Sequence, residues 1–98
     1  MVETYDKPGC AELRIQLRPA HLNYLEANRH LLLACGAKIA DESEQASGGL
    51  YLLDVETRAE AEAFIKADPF HEGDLFERVF VTRWRKAYLD GRNTLNEE

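Results

Sequence analysis

The stretch from residue 49 to residue 84 constrains the fold most, because it brackets a helix at both ends and sets it between two apolar runs of strand length. The first run is "LYLLDVE". Thr57 and Glu60 in "TRAE" then form a capping box, in which the Thr hydroxyl bonds the backbone N–H three residues on and the Glu reaches back. The helix they start has to stop near Asp68, since the residue before a proline avoids helical backbone. Ala59, Ala63, Phe64 and Ala67 are expected on its inner side. The second run, "ERVFVTRW", is expected as the last strand, ending at Trp84. A helix held between two strands needs a sheet to pack on, and the rest of the chain has to supply it.

Upstream, "AELRIQLR" alternates, with Leu13, Ile15 and Leu17 on one side and Glu12, Arg14, Gln16 and Arg18 on the other, the period of a strand. Pro19 stands where a helix can begin, "AHLNYLEANRHLLLAC" follows, and Gly36 supplies a stop. Leu22, Leu25, Leu32 and Leu33 can share its buried stripe. "AKIADES" reads as a weak strand joined through "EQASGG" to "LYLLDVE" as a hairpin. The order strand, helix, strand, strand, helix, strand is the ferredoxin-like α+β arrangement, a βαββαβ sandwich with one antiparallel sheet and two helices on one face. In the last strand Val79 and Val81 point one way, Phe80 and Trp84 the other. Two helices cover only one face, so a second copy is expected on the helix-free face.

At 98 residues and 11.2 kDa the chain carries one domain with a modest core. The expected division is a flexible leader over 1–10, a domain over 11–88 and a polar tail over 89–98. No apolar run approaches the roughly 20 residues of a membrane span, and the opening "MVETYDKPGC" lacks the apolar stretch of a secretory signal, so a cytoplasmic location is expected. The net charge of -6 argues against nucleic acid, which calls for clustered Lys and Arg. Cys10 and Cys35 are far apart, and His21, His30 and His71 lack close ligand spacing, so neither a disulfide framework nor a metal site is expected. There is no nucleophile elbow and no phosphate-cradling glycine loop. Acid–base chemistry without a cofactor remains.

"RPAHLNYL", "GGLYLLDVETRAEAEAFIKADPF" and the strand ending in "RWRK" together resemble the YciI-like (YCII-related) family, from about residue 12 to about residue 87. The resemblance implies a dimeric α+β barrel, two sheets face to face, with a His–Asp pair in a cleft. That pair falls on His21 and Asp68, and the aromatic after Asp-Pro is Phe70. Two departures bear on the ligand. Gly73, Asp74 and Leu75 stand where the family has a small residue, a glycine and an aliphatic residue, and Arg83 stands where a proline is common.

Each candidate has two readings. His21 is either a general base oriented by the Asp68 carboxylate or a helix residue bonded to a carbonyl. Asp68 is either that carboxylate or a turn starter serving nearby N–H groups, a task Asn or Ser would do as well. Arg18, next to Pro19, either holds a ligand carboxylate or phenolate or is a solvated strand-end charge or the partner of an acidic neighbour. Tyr24 either walls the cleft or packs against the sheet. His71, Glu72 and His30 are expected in solvent. The function expected is a small cofactor-independent enzyme transferring protons, of isomerase, lyase or dehalogenase type, on a small oxygenated or aromatic acid. The alternative is a non-catalytic small-molecule binding or accessory module.

Overall fold

The computed structural model describes residues 1–95. Its elements run β1 (Val2–Asp6), α1 (Ala11–Ala27), a 3-10 turn (Arg29–Leu31), β2 (Leu32–Ile39), β3 (Ala46–Leu53), α2 (Arg58–Ala67), α3 (Pro69–Glu72), β4 (Phe76–Val81), β5 (Tyr88–Leu89) and β6 (Arg92–Asn93). The four long strands form an antiparallel sheet in the order β2-β3-β1-β4, so β1 and β3 are central. This is the ferredoxin-like α+β fold. Among the described residues no helix is long and apolar enough to cross a membrane.

The first half reaches this topology with different residues than its pattern suggested. Residues 2–6, expected as a leader, form a central strand whose Val2 and Thr4 are fully buried, while Glu3 and Tyr5 face outward. "VETYD" carries polar residues on both sides, Glu3 on the open face and Thr4 and Asp6 on the side of Val2, so no alternation marks it and a buried strand looks like a loose terminus. Residues 11–18 are helix, not strand. Leu13 and Leu17, four apart, pack on the core, while Ile15 between them is 68% exposed. Over so few residues an i, i+4 pair with one exposed leucine-like residue between imitates alternation. Pro19 is therefore inside α1 rather than at its start. Pro19 and Ile15 are both exposed, so the carbonyl left without an N–H four residues back can be hydrated. α1 ends at Asn28, whose side-chain amide donates to the Tyr24 carbonyl at 2.9 Å, and "LLLAC" continues as β2, with Gly36 inside the strand. A short apolar run carries no period to separate helix from strand.

The second half follows its local signals. Thr57 caps α2 by accepting from the Glu60 N–H at 3.1 Å, and Asp68 ends it with extended backbone. The buried stripe of α2 is Ala61, Phe64 and Ile65; the expected Ala59, Ala63 and Ala67 are exposed. β4 stops at Val81, short of Trp84. Val79 and Val81 pair with Thr4 and Val2 on the core face, Phe80 with Glu3 on the open one. Residues 89–93, expected to begin a polar tail, join Tyr88 in a β5–β6 hairpin. Asp90 and Gly91 both take positive φ, 54° and 76°, as a two-residue hairpin turn requires. The remainder of the expected tail, 96–98, lies outside the described residues.

Candidate active site

The site is built where α1, the α2–α3 corner and the β2–β3 pair meet. Arg14, Arg18 and His21 are spaced four and three apart, so α1 presents all three along one side. Asp68 arrives from the corner. Its Oδ1 accepts the Phe70 N–H at 2.9 Å and so caps α3, the role of a turn starter. The same carboxylate also faces His21, with Oδ1 2.9 Å and Oδ2 3.0 Å from Nδ1. Oδ2 further accepts the Tyr51 hydroxyl at 2.9 Å. Helix stop and presented carboxylate are thus one residue, and three donors surround a side chain that is 0% exposed. A buried charge is tolerable only when its oxygens are so satisfied.

This arrangement sets the imidazole's state. An ionised carboxylate can only accept, so Nδ1 carries a hydrogen, and in the neutral ring the lone pair is therefore on Nε2. The ring, 8% exposed, stacks on Phe70 with centroids 3.9 Å apart and planes 14° from parallel. The Arg14 guanidinium lies 4.7 Å from the Phe70 centroid and is itself anchored by Asp6 Oδ2 at 2.6 Å and the Gly48 carbonyl at 3.3 Å. His21 therefore has little freedom to turn away from Asp68.

A cavity of about 210 Å³ opens beside the pair, lined by Arg14, Arg18, His21, Cys35, Tyr51 and Phe70 among others. Arg18 is exposed and has no partner among the described residues, which leaves its charge available. Cys35 sits opposite Tyr51 in the β2–β3 register. It reaches solvent on one side, yet the protein around its thiol, and next the Asp68 charge, push its pKa up to about 11. Burial, the Asp68 charge and the hydrogen bond to it together raise the Tyr51 phenol far above its ordinary value, so it stays a donor. A larger hollow of about 740 Å³ lies beyond the other end of β3, between Leu53, Arg58 and Trp84, and includes neither His21 nor Asp68.

Of the residues singled out in the sequence, the structure brings together His21, Asp68, Phe70 and Arg18. Tyr24 is not among them: its hydroxyl donates to the Phe64 carbonyl at 2.6 Å and ties α1 to α2, and its side chain packs against the buried core rather than lining the cavity. Asp74 pairs with Lys7 at 2.6 Å, away from the cavity, and His71 is half-buried with its ring against Phe76. Arg14, Cys35 and Tyr51 were not foreseen. A tyrosine within a buried apolar strand is a usable signal, because its hydroxyl needs a partner there. Arg14 gives one only once residues 11–18 are helical.

The YCII-related domain matches residues 1–85. A solved structure of 5-chloro-2-hydroxyhydroquinone dehydrochlorinase (TftG) from Burkholderia phenoliruptrix AC1100, in complex with 2,5-dihydroxybenzoquinone, is similar at 27% identity with a TM-score of 0.80. The similarity covers 86% of this chain and 90% of that one. No curated protein matches this chain. With the domain spanning every element that builds the sheet and the site, the chain belongs to the YCII-related family.

Proposed function

We propose that this chain is a cofactor-independent enzyme that moves protons on a small oxygenated ring compound or aromatic acid. The observation that carries this reading is the His21 ring, held through Nδ1 by a buried carboxylate with Nε2 left as the basic nitrogen. A cavity of about 210 Å³ is below the roughly 300–1,000 Å³ of drug-sized sites and suits a ligand of one ring. His21 Nε2 takes a proton from the substrate. The electron pair left behind moves into the ring and either expels a leaving group, which keeps its bonding electrons, or shifts a double bond. Asp68 stabilises the imidazolium, which returns its proton to product or solvent. Arg18 is placed to hold an anionic substituent, and Phe70 keeps the imidazole in plane. The similarity to a dehydrochlorinase supports elimination over isomerisation.

A homodimer across the helix-free sheet face belongs to the same proposal. Tyr5, Leu50 and Phe80 lie on that face, and Glu3, Lys38 and Arg78 place both charge signs around them, as a self-complementary contact needs.

Turnover tests the reading. A panel of chlorinated hydroquinones and small keto and aromatic acids is screened with wild type, and hits are repeated with His21→Ala and Asp68→Asn. Loss of about 10²- to 10⁴-fold in rate is expected, with the fold intact. Equal turnover in wild type and His21→Ala would remove His21 from the chemistry. Binding without turnover by any panel member would favour the accessory role.

A further inference from the structure

Of the two arginines that line the cavity, Arg14 is the one the protein itself holds in place. Its Nη1 donates to Asp6 Oδ2 at 2.6 Å and its Nη2 to the Gly48 carbonyl at 3.3 Å. The side chains of Arg14 and Asp6 are 13% and 7% exposed, and Asp6 Oδ1 has no partner among the described residues. Such a pair adds little to stability. Taking two charges out of water costs about what their attraction returns, and apolar residues of similar volume can replace a buried pair without loss. A carboxylate oxygen left short of a donor adds to that cost. Stability therefore gives a poor account of a guanidinium at this place.

What the anchoring supplies is a cation of fixed direction near the base. Arg14 and His21 both rest against the Phe70 ring, the guanidinium carbon 4.7 Å and the imidazole centroid 3.9 Å from its centre. All three residues line the cavity, so a one-ring ligand there meets both the base and the cation. A guanidinium carries five N–H groups, and Asp6 and Gly48 take two, leaving three without a partner among the described residues. The charge is also felt within the cavity wall. Burial first, and then Asp68, raise the pKa of the Tyr51 phenol, and Arg14 is the group that opposes the rise. Donors oriented before the ligand arrives, and enclosed by protein, are what negative charge developing on an oxygen requires.

We propose that Arg14 is a catalytic residue that holds the ligand oxygen on which negative charge develops when His21 removes a proton. The proton passes to His21 Nε2, and the electron pair it leaves rests on a conjugated ring oxygen as an enolate or phenolate bonded by Arg14. The pair then returns to form a double bond as the leaving group departs with its own bonding electrons, and Arg14 keeps all its protons throughout. This rests on the proposed proton transfer and adds a requirement: the ligand carries a hydroxyl or carbonyl oxygen conjugated with the reacting carbon.

The test is steady-state chloride release from 5-chloro-2-hydroxyhydroquinone by the whole chain, with circular dichroism to confirm each fold. Arg14→Lys keeps the charge and loses the fork; Arg14→Met combined with Asp6→Asn removes the pair without leaving a lone buried charge. Both should lower kcat by about 10²- to 10³-fold, the worth of one oxyanion donor, with KM within about threefold. Arg18→Gln should instead act chiefly by raising KM. Wild-type kcat in either Arg14 variant, or a loss confined to KM, would overturn the assignment and leave the proposed function standing. Absence of chloride release by wild type would overturn both. If the double variant does not fold, Arg14→Lys decides alone.

Discussion

Tyr51 donates its hydroxyl hydrogen to Asp68 Oδ2 at 2.9 Å, on the same carboxylate that holds His21 Nδ1. The phenol from β3 and the imidazole from α1 are thus both fixed by one buried acid, and neither can change without disturbing the other. Removing the phenol's hydrogen bond should show in both stability and rate.

Tyr51→Phe is expected to lower stability by about 1–3 kcal/mol, the penalty for leaving a buried acceptor short of a donor. It should also slow turnover less than His21→Ala does, because the base itself remains. Denaturant unfolding gives the first quantity and steady-state kinetics the second. A Tyr51→Phe protein as stable as wild type would mean that the hydrogen bond to Asp68 contributes nothing net.

Cys35 offers a readout in pH. Its pKa rises from the ordinary 9.0 to about 11 in the folded chain, first through burial and then through the Asp68 charge. The fold favours the protonated thiol. Its contribution to stability is therefore complete below pH 9 and is lost as the pH climbs through 9 toward 11. Alkylation of Cys35 by iodoacetamide, followed by peptide mass mapping, should stay slow at pH 8 and accelerate with a midpoint near pH 11. A midpoint at or below pH 9 would show that the thiol is neither enclosed nor under the influence of Asp68.

The helix-free face gives a prediction about association. Phe80 is 47% exposed there, edge-on to Tyr5 with centroids 5.8 Å apart. Phe80→Lys should shift the sedimenting species from dimer toward monomer and lower the melting temperature in a concentration-dependent way. A wild-type chain that sediments as a monomer at micromolar concentration would end the proposal of a paired sheet.

Pro19 tests the helical reading of residues 11–27. Inside an exposed helix, proline lacks the N–H that would close a turn. Pro19→Ala should raise stability, by at most about 3 kcal/mol, and increase helical circular dichroism. A residue at a strand-to-helix corner would show neither effect.

Where the chain carries strong local chemistry, its sequence already determines the structure. The capping box at Thr57, the stop at Asp68-Pro69 and the alternation of "VFV" each act through neighbours a few residues away. α2, its end and most of β4 were therefore legible, and so was the pairing of His21 with Asp68 through the family's motifs. The order of elements was legible too, though for the first strand, the first helix and the second strand, expected at "AKIADES" but found at Leu32–Ile39, it was attached to the wrong residues. The tertiary structure decided what local period could not. "VETYD" becomes a central strand because β3 and β4 bond it from both sides, and "AELRIQLR" becomes helix because Leu13 and Leu17 have a core to meet. The site divides the same way. Asp68 could be named from its place before a proline. Tyr51 and Arg14 acquire their roles only when elements distant in sequence lie side by side, since a hydrogen bond between them is a relation across space that no single stretch of chain contains.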